Sequence, residues 1–179
     1  MDNIRFFISL IFAKIAYFVL KTTKLSGGTA IIGFFVLKIC PNFLSHVNNY
    51  ITNSRINVSG TNGKTTTTGI VSHLIKKSNH SFINNALGAN MLNGIVNAIS
   101  VELNPFKKYE FSVIETDEAF LKIVYDKLDA EYLLITNLFE DQTDRFESPL
   151  FTKSLIQEAV NKKPNIQLIL NADEPVSAS

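Results

Sequence analysis

The sequence predicts an α/β fold: a parallel sheet with helices on both faces, preceded by an N-terminal helical segment. From residue 55 onward, five short stretches typical of strands alternate with four typical of helices. A glycine-bearing loop joins the first of these strands to the first of these helices, and the residues before this unit are apolar and basic. Because alternating strands and helices are typical of a parallel sheet covered on both faces, we expect this architecture.

The composition is that of a globular protein. The chain has 179 residues, of which 46% are hydrophobic and 18% charged, and its formal net charge is +1. Apolar content this high with so little net charge excludes intrinsic disorder. The single cysteine, Cys40, excludes an internal disulfide and a cysteine zinc cluster, and indicates a reducing, cytoplasmic setting.

The N-terminal segment differs in charge from the rest of the chain. Residues 1–57 contain six basic residues and one acidic residue, whereas the remaining 122 contain 11 basic and 15 acidic residues. A nucleic-acid-binding domain would show a general basic excess, so we expect no nucleic acid partner. We predict two units, an apolar and basic helical segment at residues 1–54 and a nucleotide-binding unit at residues 55–179.

The first predicted helix, at residues 4–23, is the candidate for membrane contact. Its apolar run from Phe6 to Leu20 is shorter than the roughly 20 residues that cross a bilayer. Lys14 lies in the middle of that run, where a charge is costly in lipid. A helix that docks on the protein or lies at a membrane surface is therefore favoured over one that spans the membrane.

The other elements are predicted in chain order. Gly27 and Gly28 interrupt the first helix, residues 29–40 form an apolar stretch of undecided type, and Pro41 opens a short helix that ends at residue 50. Strands are expected at residues 55–58, 81–84, 109–114, 132–136 and 166–170. Helices are expected at residues 64–77, 89–102, 120–128 and 150–161.

The loop after the first strand has the pattern of a phosphate-binding loop, Gly60-Thr-Asn-Gly63-Lys64-Thr65-Thr66. Glycines let backbone N–H groups converge on phosphate oxygens, and the helix N-terminus adds partial positive charge. Lys64 would reach the outer phosphates, and the Thr65 hydroxyl would bind Mg²⁺. Two residues separate the glycines here instead of the usual four, so the alternative is a glycine turn that happens to precede Lys64.

Polar residues also follow the third and fourth strands. In open parallel sheets, functional residues lie beyond the carboxyl ends of the strands. Glu115 is the first acid after the third strand and is predicted to hold Mg²⁺ directly or through water. Glu118 is predicted only to begin the third helix of this unit, where an acid favours the helix dipole. The loop after the fourth strand contains Asn137, Asp141, Gln142, Asp144 and Arg145.

These residues resemble a known family. The segment 59–66 is similar to the contracted phosphate loop of the Mur ligases and folylpolyglutamate synthetases, and the segment 171–175 is similar to the one that approaches adenine in that superfamily. Four further segments most closely resemble the MurT family, the Mur-ligase-like subunits of lipid II isoglutaminyl synthases: residues 27–30 with 41–44, 84–91, 113–118 and 136–146. The resemblance implies a P-loop Mur ligase central domain.

Two features differ from the Mur ligases that add amino acids. Those enzymes resemble one another in having a metal-binding histidine where this chain has Gln142. They also have a uridine-nucleotide-binding domain before the phosphate loop, whereas here the loop follows only 59 apolar and basic residues.

The resemblance implies an ATP-dependent carbon–nitrogen ligase of peptidoglycan synthesis. ATP with Mg²⁺ would phosphorylate the α-carboxyl of D-glutamate in lipid II, and ammonia from a partner glutaminase of the GatD type would then attack the acyl phosphate. D-isoglutamine, ADP and phosphate would result. The expected location is the cytoplasm, with contact to the inner face of the cell membrane through residues 4–23 as a further expectation.

Site residues follow from the same resemblance. The phosphates would be held by Gly60, Thr61, Asn62, Gly63, Lys64, Thr65 and Thr66, and Mg²⁺ by Thr65 and Glu115. Asn137 would orient the γ-phosphate, Asn171 and Asp173 would lie near adenine, and Asn85, Gly88 and Asn90 would line the acceptor side. A plain turn is the alternative for residues 171–173. For residues 141–145, a direct function and structural salt bridges are both open.

The family continues beyond the adenine-type segment with a C-terminal domain that supplies the catalytic acid and the glutaminase-docking surface. We therefore expect this chain to be incomplete at its C-terminus, with the catalytic acid beyond residue 179, and inactive in amidation by itself. Two other functions stay open. One is another Mur- or folylpolyglutamate-type ligase, and the other is a non-catalytic, membrane-associated nucleotide-binding module.

Overall fold

The computed structural model describes residues 2–23, 29–85, 89–139, 148–174 and 176. Within them, five parallel strands form one sheet in the order β2-β3-β1-β4-β5. The strands are β1 (Ile51–Ser59), β2 (Phe82–Asn84), β3 (Tyr109–Glu115), β4 (Tyr132–Ile135) and β5 (Gln167–Ile169). The predicted parallel α/β sheet is confirmed.

The described ranges also contain seven α-helices: α1 (Asp2–Thr22), α2 (Thr29–Ile39), α3 (Phe43–Val47), α4 (Lys64–Lys77), α5 (Leu92–Glu102), α6 (Leu121–Tyr125) and α7 (Pro149–Val160). A 3₁₀ turn, Asn48–Tyr50, joins α3 to β1. Right-handed crossovers with this strand order place α4 on one face and α5, α6 and α7 on the other.

The N-terminal helices share the core of the sheet unit. Helices α1 and α2 pack on each other and on α5. The Phe6 ring of α1 lies 5.2 Å from the Phe43 ring and 5.6 Å from the Tyr50 ring, measured between centroids. A Cβ atom at Gly33 would lie 1.8 Å from the carbonyl oxygen of Asn93, so the close approach of α2 to α5 requires glycine. The segment before residue 55 is therefore continuous with the core.

Helix α1 is docked along the protein. Its Lys14 Nζ donates a hydrogen bond of 2.7 Å to the carbonyl oxygen of Val101, in the last turn of α5. A cation at that position satisfies a terminal carbonyl and complements the helix dipole. Among the described residues, α1 is also long and apolar enough to cross a bilayer by length and composition alone.

Three element predictions need correction, and one open assignment is resolved. The undecided stretch 29–40 is helix α2, because its apolar side chains pack on α5. Strand β1 begins at Ile51 instead of residue 55, because Ile51 and Ser54 already pair with β3. Helix α5 begins at Leu92 instead of residue 89, and α6 spans only Leu121–Tyr125. The predicted boundary between two units, after residue 54, stays a prediction, and strand β1 extends across that position.

Candidate nucleotide site at the end of the central strand

The candidate loop extends from the carboxyl end of β1, the central strand of the sheet, to the first turn of α4. Its two glycines have positive φ, 119° at Gly60 and 81° at Gly63, a region that favours glycine. A Cβ atom at Gly60 would lie 2.4 Å from Thr136 Oγ1, whereas one at Gly63 would meet no atom within 4 Å. The loop is therefore closely packed at Gly60 and open at Gly63.

The end of β4 holds this loop in place through Asn137. The Asn137 side chain accepts a hydrogen bond from the Asn62 N–H at 3.0 Å and donates one to the Asn62 carbonyl at 3.1 Å. Its own carbonyl accepts the Thr61 N–H at 2.8 Å, and the Thr136 hydroxyl donates to the Asn62 carbonyl at 2.6 Å. Asn137, predicted to orient the γ-phosphate, thus fixes the loop backbone in this structure.

Lys64, the first residue of α4, folds back over the loop. Its ammonium donates to the carbonyl oxygens of Gly60 and Thr61 and to the carboxylate of Glu118. The two following threonines, Thr65 and Thr66, are exposed in the first turn of α4. Because the first N–H groups of a helix have no intrahelical acceptor, this turn offers the kind of donor that anion-binding loops use.

Glu118 contacts the candidate loop, and the prediction that it begins the third helix of the sheet unit is wrong. Helix α6 begins only at Leu121, so Glu118 lies in the preceding turn. Its Oε1 accepts the Gly60 N–H at 2.9 Å and lies 3.3 Å from Lys64 Nζ. Burial raises the pKa of the Glu118 carboxyl, and the Lys64 ammonium opposes that rise. The signal that could have found it is an acid just past the end of β3, the strand beside β1.

Glu115, the predicted metal ligand, is buried at the end of β3. It pairs in register with Val58, immediately before the loop. Its Oε1 accepts a hydrogen bond of 3.0 Å from the Asn90 amide. Among the described residues, no three His, Cys, Asp or Glu side chains converge on one point. Thr65 and Glu115 would therefore hold Mg²⁺ only together with water and phosphate oxygens, which are ligands that this ion commonly keeps.

The three predicted acceptor-side residues differ in position. Asn85 is buried: its Oδ1 accepts the Glu115 N–H at 2.7 Å, and its Nδ2 donates to the Glu115 and Ala89 carbonyls at 2.7 and 2.8 Å. Asn90 lines a cavity of about 440 Å³ between the starts of α2 and α5, beside Phe120. Gly88 lies outside the described residues.

The adenine-type segment forms a turn after β5, next to the end of β4. The Asn171 amide donates to the Thr136 carbonyl at 3.4 Å, and Asn171 Oδ1 accepts the Asp173 N–H at 3.1 Å. Both side chains are exposed on the sheet edge that carries the loop. The predicted adenine contact stays a prediction.

Six other residues named from the sequence lie outside the described ranges: Gly27, Gly28, Asp141, Gln142, Asp144 and Arg145.

Comparisons with known protein sequences agree on one family. The family description "Mur ligase middle domain" matches residues 58–179. The MurT subunit of lipid II isoglutaminyl synthase (glutamine-hydrolyzing) from Streptococcus pneumoniae is 31% identical over 175 residues, 97% of this chain and 38% of the relative. The Staphylococcus aureus (strain COL) subunit of the same name is 40% identical over 118 residues, 66% of this chain and 26% of the relative.

Solved structures agree on the fold. The MurF ligase from Thermotoga maritima in complex with ADP superposes with a TM-score of 0.61 at 19% identity, covering 80% of this chain and 33% of that one. MurF from Acinetobacter baumannii gives a TM-score of 0.63 at 16% identity, covering 80% of this chain and 31% of that one. The chain thus spans less than two-fifths of the length of each of these proteins.

Proposed function

The chain belongs to the Mur ligase family by its middle domain, and on that premise we propose that it is the ATP-binding part of a ligase that amidates lipid II. The observation that carries this proposal is the similarity to a MurT subunit along 97% of the chain. That similarity includes the N-terminal helices as well as the loop, which favours MurT over the ligases that add amino acids. The activity, substrates and partners belong to the proposal for the whole protein.

The proposed chemistry begins with activation of a carboxylate, because a carboxylate oxygen is a poor leaving group. ATP supplies the phosphoryl group that converts the D-glutamate α-carboxylate into an acyl phosphate, with ADP released. The N–H groups of the loop and the Lys64 ammonium would neutralise charge on the phosphates. Asn137 would keep those N–H groups in position, and Thr65 and Glu115 would hold Mg²⁺. The residues present therefore fit a Mg–ATP site.

We propose that the second step uses ammonia from a glutaminase partner of the GatD type. Ammonia would attack the acyl carbon, phosphate would leave, and loss of a proton would give D-isoglutamine. The relatives are MurT subunits of a glutamine-hydrolyzing lipid II isoglutaminyl synthase, which supports a glutaminase partner and the lipid II acceptor.

Replacing Lys64 in cells that make this protein tests the function. Lys64→Ala removes the loop ammonium, and the fraction of stem peptides with D-isoglutamine should fall severalfold, as measured by mass spectrometry of peptidoglycan fragments. Lys76→Ala, an exposed lysine in the last turn of the same helix, is the matched control and should leave amidation unchanged. Shortened stem peptides with normal amidation would indicate an amino-acid-adding ligase instead. An unchanged peptidoglycan would favour a non-catalytic nucleotide-binding module.

We further propose that α1 rests its outer face on an anionic membrane surface, near the lipid-linked acceptor. The inner side of α1 is buried, including Phe6, Leu10 and Ala13. The opposite side carries a stripe at intervals of three or four residues, 51–67% exposed, which we call the outer stripe: Ile4, Ile8, Ile11, Ile15 and Phe18. A helix that is apolar on both sides suits a second apolar environment.

Charge favours anionic lipid as that environment. Arg5, Lys21 and Lys38 are exposed on α1 and α2, whereas Asp2 is the only acid in these two helices. The Lys38 ammonium lies 4.9 Å from the ring centroid of Phe34, itself partly exposed, so basic and apolar groups share a surface. Apolar side chains flanked by cations are typical of helices that lie in the membrane interface. Because Lys14 is bound to α5, we propose that α1 lies on the membrane and does not cross it.

A further inference from the structure

We propose that the carboxylate of Glu118 is an internal stand-in for phosphate, which holds Lys64 and the loop N–H of Gly60 until a nucleotide displaces it from the lysine. This inference rests on the proposed nucleotide binding. It assigns a positioning role to a side chain outside the loop motif.

The donors around Glu118 are those that a phosphate would use. Phosphate-binding loops bind their ligand with backbone N–H groups and a lysine ammonium. Here one donor of each kind converges on a single oxygen, Glu118 Oε1, at 2.9 Å from Gly60 N and 3.3 Å from Lys64 Nζ. A carboxylate oxygen carries negative charge and accepts charge-assisted hydrogen bonds, as a phosphate oxygen does. Glu118 therefore satisfies the loop in the way that a bound phosphate would.

Lys64 has no donor left for a ligand in this arrangement. An ammonium has three N–H donors, and Lys64 has three acceptors in the part of the chain that the structure describes, the carbonyls of Gly60 and Thr61 and the Glu118 carboxylate. Binding a phosphate oxygen must therefore break at least one of these contacts. Since Glu118 is the only anion among them, and two anions beside one cation repel each other, we expect the Glu118 contact to be exchanged.

The position of Glu118 makes this exchange costly. The side chain is only 5% exposed. The turn that carries it is fixed by Asp117, whose carbonyl accepts the Phe120 N–H at 2.9 Å and whose carboxylate accepts the Ala119 N–H at 3.1 Å. A carboxylate held there cannot move freely into water when Lys64 leaves, and burial disfavours its charged form, as the raised pKa indicates. Glu118 should thus order the empty loop and weaken nucleotide binding.

Substitution of Glu118 tests the sign of this effect. Glu118→Gln keeps the shape and an oxygen that can accept the Gly60 N–H, but it removes the charge that competes with phosphate. The dissociation constant for ADP, measured by calorimetry on the 179-residue chain, should fall roughly three- to tenfold. The melting temperature of the ligand-free variant should fall as well, because Lys64 loses its ionic partner.

Two controls separate charge from other effects. Glu118→Asp keeps a negative charge beside the loop and should bind ADP no more tightly than the native chain. Glu110→Gln changes an acid at the opposite end of β3, where it pairs with His80 and Ser81, and should leave ADP affinity unchanged. Weaker or unchanged ADP binding by Glu118→Gln would overturn the proposal, as would equal tightening by Glu118→Asp.

A structure of the native chain with ADP and Mg²⁺ tests the exchange without any substitution. Lys64 Nζ should then lie within hydrogen-bond distance of a phosphate oxygen and away from Glu118. A Lys64–Glu118 contact unchanged beside bound ADP would contradict the inference. If the native chain binds no ADP, the proposed nucleotide function fails together with this inference, whereas ADP binding without the predicted exchange refutes the role of Glu118 alone.

Discussion

Single residues determine whether the loop can form, and Gly60 is the clearest case. It has φ of 119°, and Thr136 and Asn137 leave no room for a side chain. Gly60→Ala should lower the free energy of unfolding by about 2 kcal/mol or more, because a Cβ atom there meets both backbone strain and a close contact. Urea unfolding measures this loss.

A second glycine provides the control for that measurement. Gly69 lies within α4, and a Cβ atom there would meet nothing within 4 Å. Gly69→Ala should raise the free energy of unfolding by up to about 1 kcal/mol, because alanine favours helix. Equal destabilisation by both substitutions would contradict the account of the loop.

The local geometry of the loop was predictable from the motif, although the roles of its residues in phosphate binding stay predictions. Gly60 and Gly63 have the positive φ that the loop requires, and Lys64 lies at the start of the predicted helix. The contacts of Asn137 and Glu118 were not predicted, because a position just after a strand indicates proximity to the loop but not which atoms the side chain binds. Asn137 binds the loop backbone, and Glu118 binds Lys64, through turns whose course the local sequence does not determine.

At the scale of elements, the existence of the five strands and four following helices was predictable from hydrophobic pattern, whereas several boundaries were not. Pairing with β3 extends β1 back to Ile51, a tertiary effect that the local sequence does not reveal. Asn90 was predicted to lie in α5 but precedes it, because its amide binds Glu115 and its carbonyl accepts the Asp117 N–H. The strand order likewise depends on long-range contacts.

The outer stripe of α1 gives a prediction at this scale. Ile11→Asn combined with Ile15→Asn should reduce binding to vesicles of mixed anionic and neutral lipid about tenfold or more, because each substitution removes an exposed apolar side chain from the interface. Co-sedimentation with vesicles measures this change. The paired substitution Ile70→Asn with Leu74→Asn, on exposed positions of α4, is the matched control and should leave binding unchanged.

Other binding partners of the outer stripe predict different results. A concentration-dependent dimer that the α1 substitutions abolish, without vesicle binding by the native chain, would assign the stripe to a second copy. Equal binding to neutral and anionic vesicles would contradict the role of Arg5, Lys21 and Lys38.

At the scale of the whole molecule, the N-terminal helices and the sheet unit share one core, although charge alone separates them in the sequence. Lys14 on α1 binds the end of α5, and Gly33 on α2 lies against Asn93 at its start, so both ends of α5 are fixed by the N-terminal segment. The sequence showed the charge boundary but not this packing, because contacts between distant segments leave no local pattern. Asn90, just before α5, contacts Glu115 at the candidate site.

Calorimetric titration with Mg–ATP tests the central claim most directly. We predict that the 179-residue chain binds Mg–ATP, that Lys64→Ala weakens this binding at least about 30-fold by removing a charged hydrogen-bond donor, and that Lys76→Ala binds as the native chain does. Absence of binding by the native chain, or equal affinity of the Lys64→Ala and Lys76→Ala variants, would contradict the account.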